Sequence, residues 1–215
     1  MKFLKNSIYN SSPLLLLFLF MVQPAALVAQ SETPQFDRLK SQFENSRVFF
    51  AEFTHEYNDT FTGEQQLTTG TIWVGKDKYK MNSGDNFMLV EDDISRVYDS
   101  TKNRVIISEY IEEDDDFAPS RMLQGVDDSF NVSEQLMDNG RTVIRMDSDD
   151  PFSIFITVTI YLNNAGVPYR IEALDQVDNE LITVFNNGRF IEEEVGLFEF
   201  TYPDDAEWID LRQDI

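Results

Sequence analysis

The sequence predicts a mainly β protein in which a few helices accompany one highly curved antiparallel sheet or a barrel. Two observations support this fold class. Roughly ten short apolar stretches are separated by turns that are too short for parallel crossovers, and only two segments have the features of a helix. A flat open sheet of so many strands would expose a large apolar face, which rolling the sheet around a helix or a ligand would bury.

The first 29 residues have the pattern of a signal peptide. Lys2 and Lys5 precede an apolar run over residues 14–22, and small residues follow as far as Ala29. The run is shorter than the ~20 apolar residues of a membrane span. We therefore expect a cleaved signal peptide over residues 1–29 and a single exported domain over residues 30–215, with an uncleaved anchor as the alternative.

The first predicted helix lies in the segment TPQFDRLKSQFENS, residues 33–46. Thr33 can cap it and Pro34 suits its first turn. Its apolar residues have the spacing of one helical face: Phe36, Leu39 and Phe43. A second helical piece is predicted to start at Pro119, after the acidic run over residues 112–116. Its apolar side chains lie in an otherwise polar connection, so we expect them to dock on the sheet.

The remaining segments are predicted to be strands. VFFAEFTHEY, residues 48–57, alternates so that Phe49, Phe53 and His55 share one face. A later strand is predicted to carry one continuous apolar face: Ile154, Ile156, Val158, Ile160 and Leu162. Other strands are expected near residues 67–74, 78–82, 87–91, 95–99 and 104–110, and in SFNVSEQLM, TVIRMD, YRIEALDQ, ELITVFNN and GRFIEE.

Charge and cysteine content exclude several classes of function. The net charge is −22 at pH 7, which argues against nucleic-acid binding and against general adhesion to anionic lipid surfaces. The chain contains no cysteine, so it has no disulfide, no thiolate chemistry and no lipid-modified cysteine.

No set of polar residues predicts a catalytic, metal or cofactor site. His55 is the only histidine, and a lone histidine on an apolar strand face is more often structural than catalytic. The acidic run lacks the spacing and the turn glycine of a calcium loop, and no phosphate loop, dinucleotide fingerprint or zinc spacing is present. What stands out is apolar and aromatic content, with 18 Phe, 8 Tyr and 7 Met, which would form a core or line a ligand cavity.

The order of the segments resembles a known family. FFAEFTH, residues 49–55, resembles the family's F-x-A-x-F strand, and GTIWV, residues 70–74, resembles its G-x-[IL]-W-[VI] strand. LVEDDISRVYD, residues 89–99, resembles the hairpin that follows, and FEFTYP, residues 198–203, resembles the C-terminal F-x-F-x-x-P. In this order, from Phe36 to Asp210, the motifs resemble the outer-membrane lipoprotein carrier family, LolA.

The resemblance implies an incomplete (half-open) antiparallel β-barrel that is covered by a helical lid. The residues expected to line its lipid-binding cavity are Phe49, Phe53, Ile72, Val74, Tyr79, Met81, Ile154, Ile156 and Val158. The residues expected in the lid are Phe117, Met122 and Leu123. Lys76 would latch the lid, at a position where the family usually has arginine.

The resemblance also implies a function. We expect a soluble periplasmic monomer, not an enzyme, that shields the acyl chains of lipoproteins. It would take them from an inner-membrane lipoprotein-releasing transporter to an outer-membrane acceptor. The alternatives are a periplasmic carrier of another lipid or glycolipid, a secreted hydrolase that uses scattered carboxylates, and a structural or adhesive β-domain.

Overall fold

The computed structural model describes residues 31–111, 122–123 and 130–212. Within these residues a helix, α1 (Pro34–Glu44), precedes twelve strands, and residues 122–123 are also helical. The strands are β1 (Arg47–Asn58), β2 (Gln65–Val74), β3 (Tyr79–Ser83), β4 (Asn86–Glu91), β5 (Ile94–Asp99), β6 (Arg104–Glu109), β7 (Phe130–Leu136), β8 (Thr142–Ser148), β9 (Phe155–Leu162), β10 (Pro168–Asp175), β11 (Glu180–Glu192) and β12 (Glu207–Asp210). The predicted signal peptide and Phe117 of the predicted lid lie outside the described residues.

The twelve described strands form a single sheet that does not close on itself. Their order is β12-β6-β5-β4-β3-β2-β1-β11-β10-β9-β8-β7, so β12 and β7 are its two edges. Most neighbouring strands pair antiparallel, as short connections require. The pairing of β12 with β6 is parallel. The connection from β11 to β12, residues 193–206, is long enough for the chain to reach β6 from β11. The predicted fold class, a mainly β incomplete barrel with a helical cover, is confirmed.

The strands differ from the sequence prediction in two places. The segments ELITVFNN and GRFIEE form one continuous strand, β11, instead of two. The register of β11 against β1 shifts between Phe50 and Glu52, opposite Asn187 and Gly188, and Asn187 has a φ of 55°. A β-bulge of this kind lets a strand bend without ending. The second difference is β12, which the sequence analysis did not predict.

Helix α1 forms where the sequence predicts it and packs with its apolar stripe inward. Phe36, Leu39 and Phe43 are all buried, and Pro34 occupies the first turn. The N-cap residue Thr33 makes no side-chain hydrogen bond to the helix. The helix ends at Glu44 with Asn45 as its C-cap, and β1 begins two residues after the cap, at Arg47.

The sheet buries side chains on both faces, in two separate clusters. The face that packs against α1, which we call the inner face, carries the larger cluster. The opposite, outer face carries a smaller cluster made of Val48, Phe87, Leu89 and Phe198. Val48 and Phe49 belong to different clusters because successive side chains of a strand point to opposite faces.

Candidate functional site

The structure brings most of the predicted cavity residues together on the inner face. Six of them are at most 3% exposed: Phe49, Phe53, Ile72, Val74, Tyr79 and Val158. Met81 and Ile154 are half-buried and pack against the same cluster. These residues come from β1, β2, β3, β9 and the residue before β9, so they form one apolar surface across much of the sheet.

The predicted apolar face of β9 is wrong at Ile156, whereas Ile154 packs against the inner cluster. Thr157 pairs with Leu174, and Phe155 pairs with Asp175, so Ile156 is an extra residue in a β-bulge. An extra residue reverses the alternation, because adjacent side chains of a strand point to opposite faces. Phe155 therefore enters the inner cluster at 2% exposure, and Ile156 is half-buried.

Two phenylalanines of β1 lie against glycines of the neighbouring strands. A Cβ added to Gly70 of β2 would lie 1.9 Å from the backbone oxygen of Asn82 on β3 and 3.0 Å from Cε1 of Phe53. A Cβ added to Gly188 of β11 would lie 3.3 Å from the ring of Phe49. A side chain at Gly70 would collide with the backbone of β3, and one at Gly188 would press on the ring of Phe49. The glycines therefore leave room for the close approach of β3 to β2 and for the two rings of β1.

Helical residues cover this surface. Phe36, Leu39 and Phe43 of α1 belong to the inner cluster, as do Met122 at 2% and Leu123 at 0% exposure. The ring of Phe43 meets that of Phe190 edge-on, with centroids 5.5 Å apart. Two residues of the predicted lid, Met122 and Leu123, are thus buried in the inner cluster.

Polar groups on the inner face include a tyrosine and a histidine, and each has a partner. The Tyr79 hydroxyl donates to the sulfur of Met88 at 3.5 Å. His55 Nδ1 and the Thr183 hydroxyl are 2.8 Å apart. This contact gives His55 a structural partner, and the side chains that precede and follow it on the same face of β1, Phe53 and Tyr57, are aromatic. The surface offers apolar contact rather than groups for acid–base chemistry.

Several ionisable groups outside the inner cluster have shifted pKa values. The Lys78 ammonium lies 2.7 Å from Glu193, and their hydrogen bond raises the pKa of Lys78. Burial lowers the pKa of Lys80, whose ammonium sits 4.6 Å from the Trp73 ring centroid. Burial also raises the pKa of Tyr161 to about 12, with its hydrogen bond to Glu172 adding to the shift.

The predicted latch residue, Lys76, is exposed in the turn between β2 and β3. Lys78, two residues further on, makes ion pairs with Glu91 and Glu193. A contact between Lys76 and the lid stays a prediction.

Neither a metal site nor a membrane span is found within residues 31–111, 122–123 and 130–212. None of the His, Asp and Glu side chains in these ranges gather in threes where a metal ion could be held. In the same ranges, no helix is both long and apolar enough to cross a bilayer.

Sequence reasoning missed part of the aromatic lining. The Phe49 ring meets Phe185 edge-on at 5.1 Å and Phe190 at 5.5 Å between centroids. Both partners belong to β11, which pairs directly with β1. Phe185 could have been found from the alternation in ELITVFNN. Phe190 follows the bulge, which shifts the faces and is not visible in the pattern.

Comparison with known proteins gives matches among solved structures only. No protein-family model and no curated protein sequence matches the chain. An uncharacterized conserved protein from Thermus thermophilus aligns with a TM-score of 0.52 and 14% identity, over 84% of this chain and 99% of that one. A LolA superfamily protein from Nitrosomonas europaea aligns with a TM-score of 0.45 and 7% identity, over 80% and 99%.

A third neighbour is a DUF1329 family protein from Desulfovibrio piger, with a TM-score of 0.43 and 12% identity over 78% of this chain and 97% of that one. The structural neighbours thus include a member of the family that the sequence motifs resemble, at low sequence identity. The alignment with the Thermus thermophilus protein has the highest TM-score of the three. The conclusion from these comparisons is that the chain shares the fold of that protein.

Proposed function

We propose that the protein is a periplasmic carrier that shields the acyl chains of lipoproteins between the inner and the outer membrane. The observation that carries this proposal is the inner face itself. It gathers apolar side chains of several strands on one surface. The helix that covers it, α1, is not hydrogen-bonded into the sheet as a strand would be. The colinear motifs that resemble the lipoprotein carrier family support the same function.

The free energy gained by burying an acyl chain is large enough to replace the free energy that α1 gains by burying its apolar side chains on the inner face. Burying one large apolar side chain is worth about 1.5–3 kcal/mol, so Phe36, Leu39 and Phe43 together contribute roughly 5–9 kcal/mol. Burying an acyl chain of about 15 methylenes at ~0.8 kcal/mol each yields on the order of 12 kcal/mol. A bound acyl chain can therefore offset the displacement of α1 from the inner face.

Binding of a fluorescent fatty-acyl probe tests the proposal. Met81 lies half-buried on the inner face, and Met81→Glu would place a carboxylate among acyl methylenes, where an unpaired charge is strongly unfavourable. We expect the wild-type protein to bind the probe and Met81→Glu to lose at least about tenfold in affinity.

Leu67→Glu is the matched control, because Leu67 is 68% exposed and pairs with Glu56 on β1, away from the inner cluster. This variant should bind the probe as the wild type does. Equal loss in both variants, or a wild-type protein that binds no probe, would contradict the proposal.

A further inference from the structure

The N-terminus of α1 is capped by a residue from the far edge of the sheet. The backbone N–H groups of Gln35 and Phe36 both donate to Oε2 of Glu134, at 2.7 and 3.2 Å. Glu134 belongs to the edge strand β7, and the helix's own N-cap, Thr33, makes no side-chain hydrogen bond. A carboxylate at this position satisfies free N–H groups and complements the positive end of the helix dipole.

The other end of α1 is tied to the centre of the sheet. Asn45 ends the helix, with its backbone N–H and its side-chain amide both donating to the Ser41 carbonyl at 3.1 and 2.7 Å. Ser46 follows with a φ of 56°, and β1 begins at Arg47. So short a connection holds the C-terminal end of α1 beside β1, in the middle of the sheet order.

We propose that Glu134 is a positioning residue that latches α1 over the inner face, and that release of this latch lets α1 swing about residues 45–46 to admit an acyl chain. This inference rests on the proposed carrier function. Residues that absorb a hinge motion are few and lie at the ends of elements, as Asn45 and Ser46 do. The latch joins α1 to β7, a strand whose other side is an open edge of the sheet.

The contribution of the Glu134 cap to the stability of α1 is small enough to control opening of the helix without controlling folding. Loss of a helix cap changes the equilibrium constant for opening of a helix by roughly 2- to 30-fold. The burial of Phe36, Leu39 and Phe43 is the larger contribution to the stability of the cover. Glu134 therefore adjusts how often α1 opens without deciding whether the protein folds.

Hydrogen exchange of α1 tests the latch without any ligand. In Glu134→Ala, the amides of residues 38–43 should exchange roughly 2- to 30-fold faster than in the wild type, while those of β9 stay unchanged. Glu134→Gln keeps an acceptor oxygen but loses the charge, so its exchange should be intermediate. Gln135→Ala alters the adjacent residue of β7 and should leave α1 unchanged. Unchanged exchange of α1 in Glu134→Ala would overturn the latch.

Release of the fluorescent fatty-acyl probe tests its role. If the latch controls access, Glu134→Ala should both take up and release the probe faster, by a factor similar to that of the exchange. If Glu134→Ala speeds hydrogen exchange of α1 but leaves the rates of probe uptake and release unchanged, the proposal that the latch controls access is overturned. A wild-type protein that binds no probe would refute the carrier function and this access role with it, whereas the exchange result would still decide whether Glu134 holds α1.

Discussion

At the scale of single residues, Tyr79 and Met81 differ in burial although both point to the inner face from β3. Tyr79 is 1% exposed, whereas Met81 is half-buried. Replacing a fully packed aromatic residue by alanine costs about 3–5 kcal/mol, because the cavity that is left cannot collapse completely. A side chain that is only half-buried has fewer contacts to lose.

We therefore expect Tyr79→Ala to lower the free energy of unfolding by about 3–5 kcal/mol and Met81→Ala by less than ~2 kcal/mol. Urea denaturation of the two variants measures the difference. Equal losses would mean that Met81 is packed as tightly as Tyr79, and would remove it from the accessible part of the candidate site.

The inner-face residues of β1 could be predicted from sequence, because apolar and polar residues alternate over most of the strand, in AEFTHEY, residues 51–57. The same reasoning failed for Ile156, since the local pattern of SIFITVTIYL does not reveal the bulge against Leu174 and Asp175. Glu134 could not be predicted as a cap either. Its partners, Gln35 and Phe36, are 99 and 98 residues away in the chain.

At the scale of elements, the connection from β11 to β12 packs across the outer face of the sheet. We call residues 193–206 the return segment. The Phe200 ring stacks on Phe87 of β4, with centroids 3.8 Å apart, and Phe198 joins the outer cluster. The Lys80 ammonium donates a hydrogen bond to the backbone carbonyl of Leu197. These contacts position β12 beside β6, where it pairs in parallel.

Phe200→Ala should loosen this segment selectively. Loss of the stacked pair and of its buried area should cost about 1–3 kcal/mol, and the amides of β12 should exchange faster while those of β1 and β2 do not. Phe61→Ala is the control, since Phe61 is 96% exposed. Equal acceleration in β1, β2 and β12 would show that the return segment unfolds only with the whole sheet.

The sequence indicated the aromatic residues of the return segment through the family motif FEFTYP, but not their partners. A short strand such as EWID carries no pattern that distinguishes it from a polar loop. Its pairing with β6 depends on contacts between segments about a hundred residues apart, which local patterns do not encode.

At the scale of the whole molecule, the fold class followed from local patterns, while the arrangement of the edges did not. Short turns required an antiparallel meander, and the number of strands required a curved sheet around a cover. Which strands form the edges depends on where β11 pairs, and it pairs with β1 in the middle of the order. That pairing places the apolar residues of β1, β2, β9 and β11 on one continuous inner face.

The central claim is that this inner face holds acyl chains, and lipid extraction tests it most directly. The protein would be purified from the envelope fraction without detergent, extracted with organic solvent, and the extract analysed by mass spectrometry beside that of Met81→Glu. The account predicts acyl-containing molecules in the wild-type extract, attached to lipoprotein peptides, and their loss in the variant. Free lipid would instead indicate a carrier of another lipid, and wild-type extracts without any acyl-containing molecule would contradict the account.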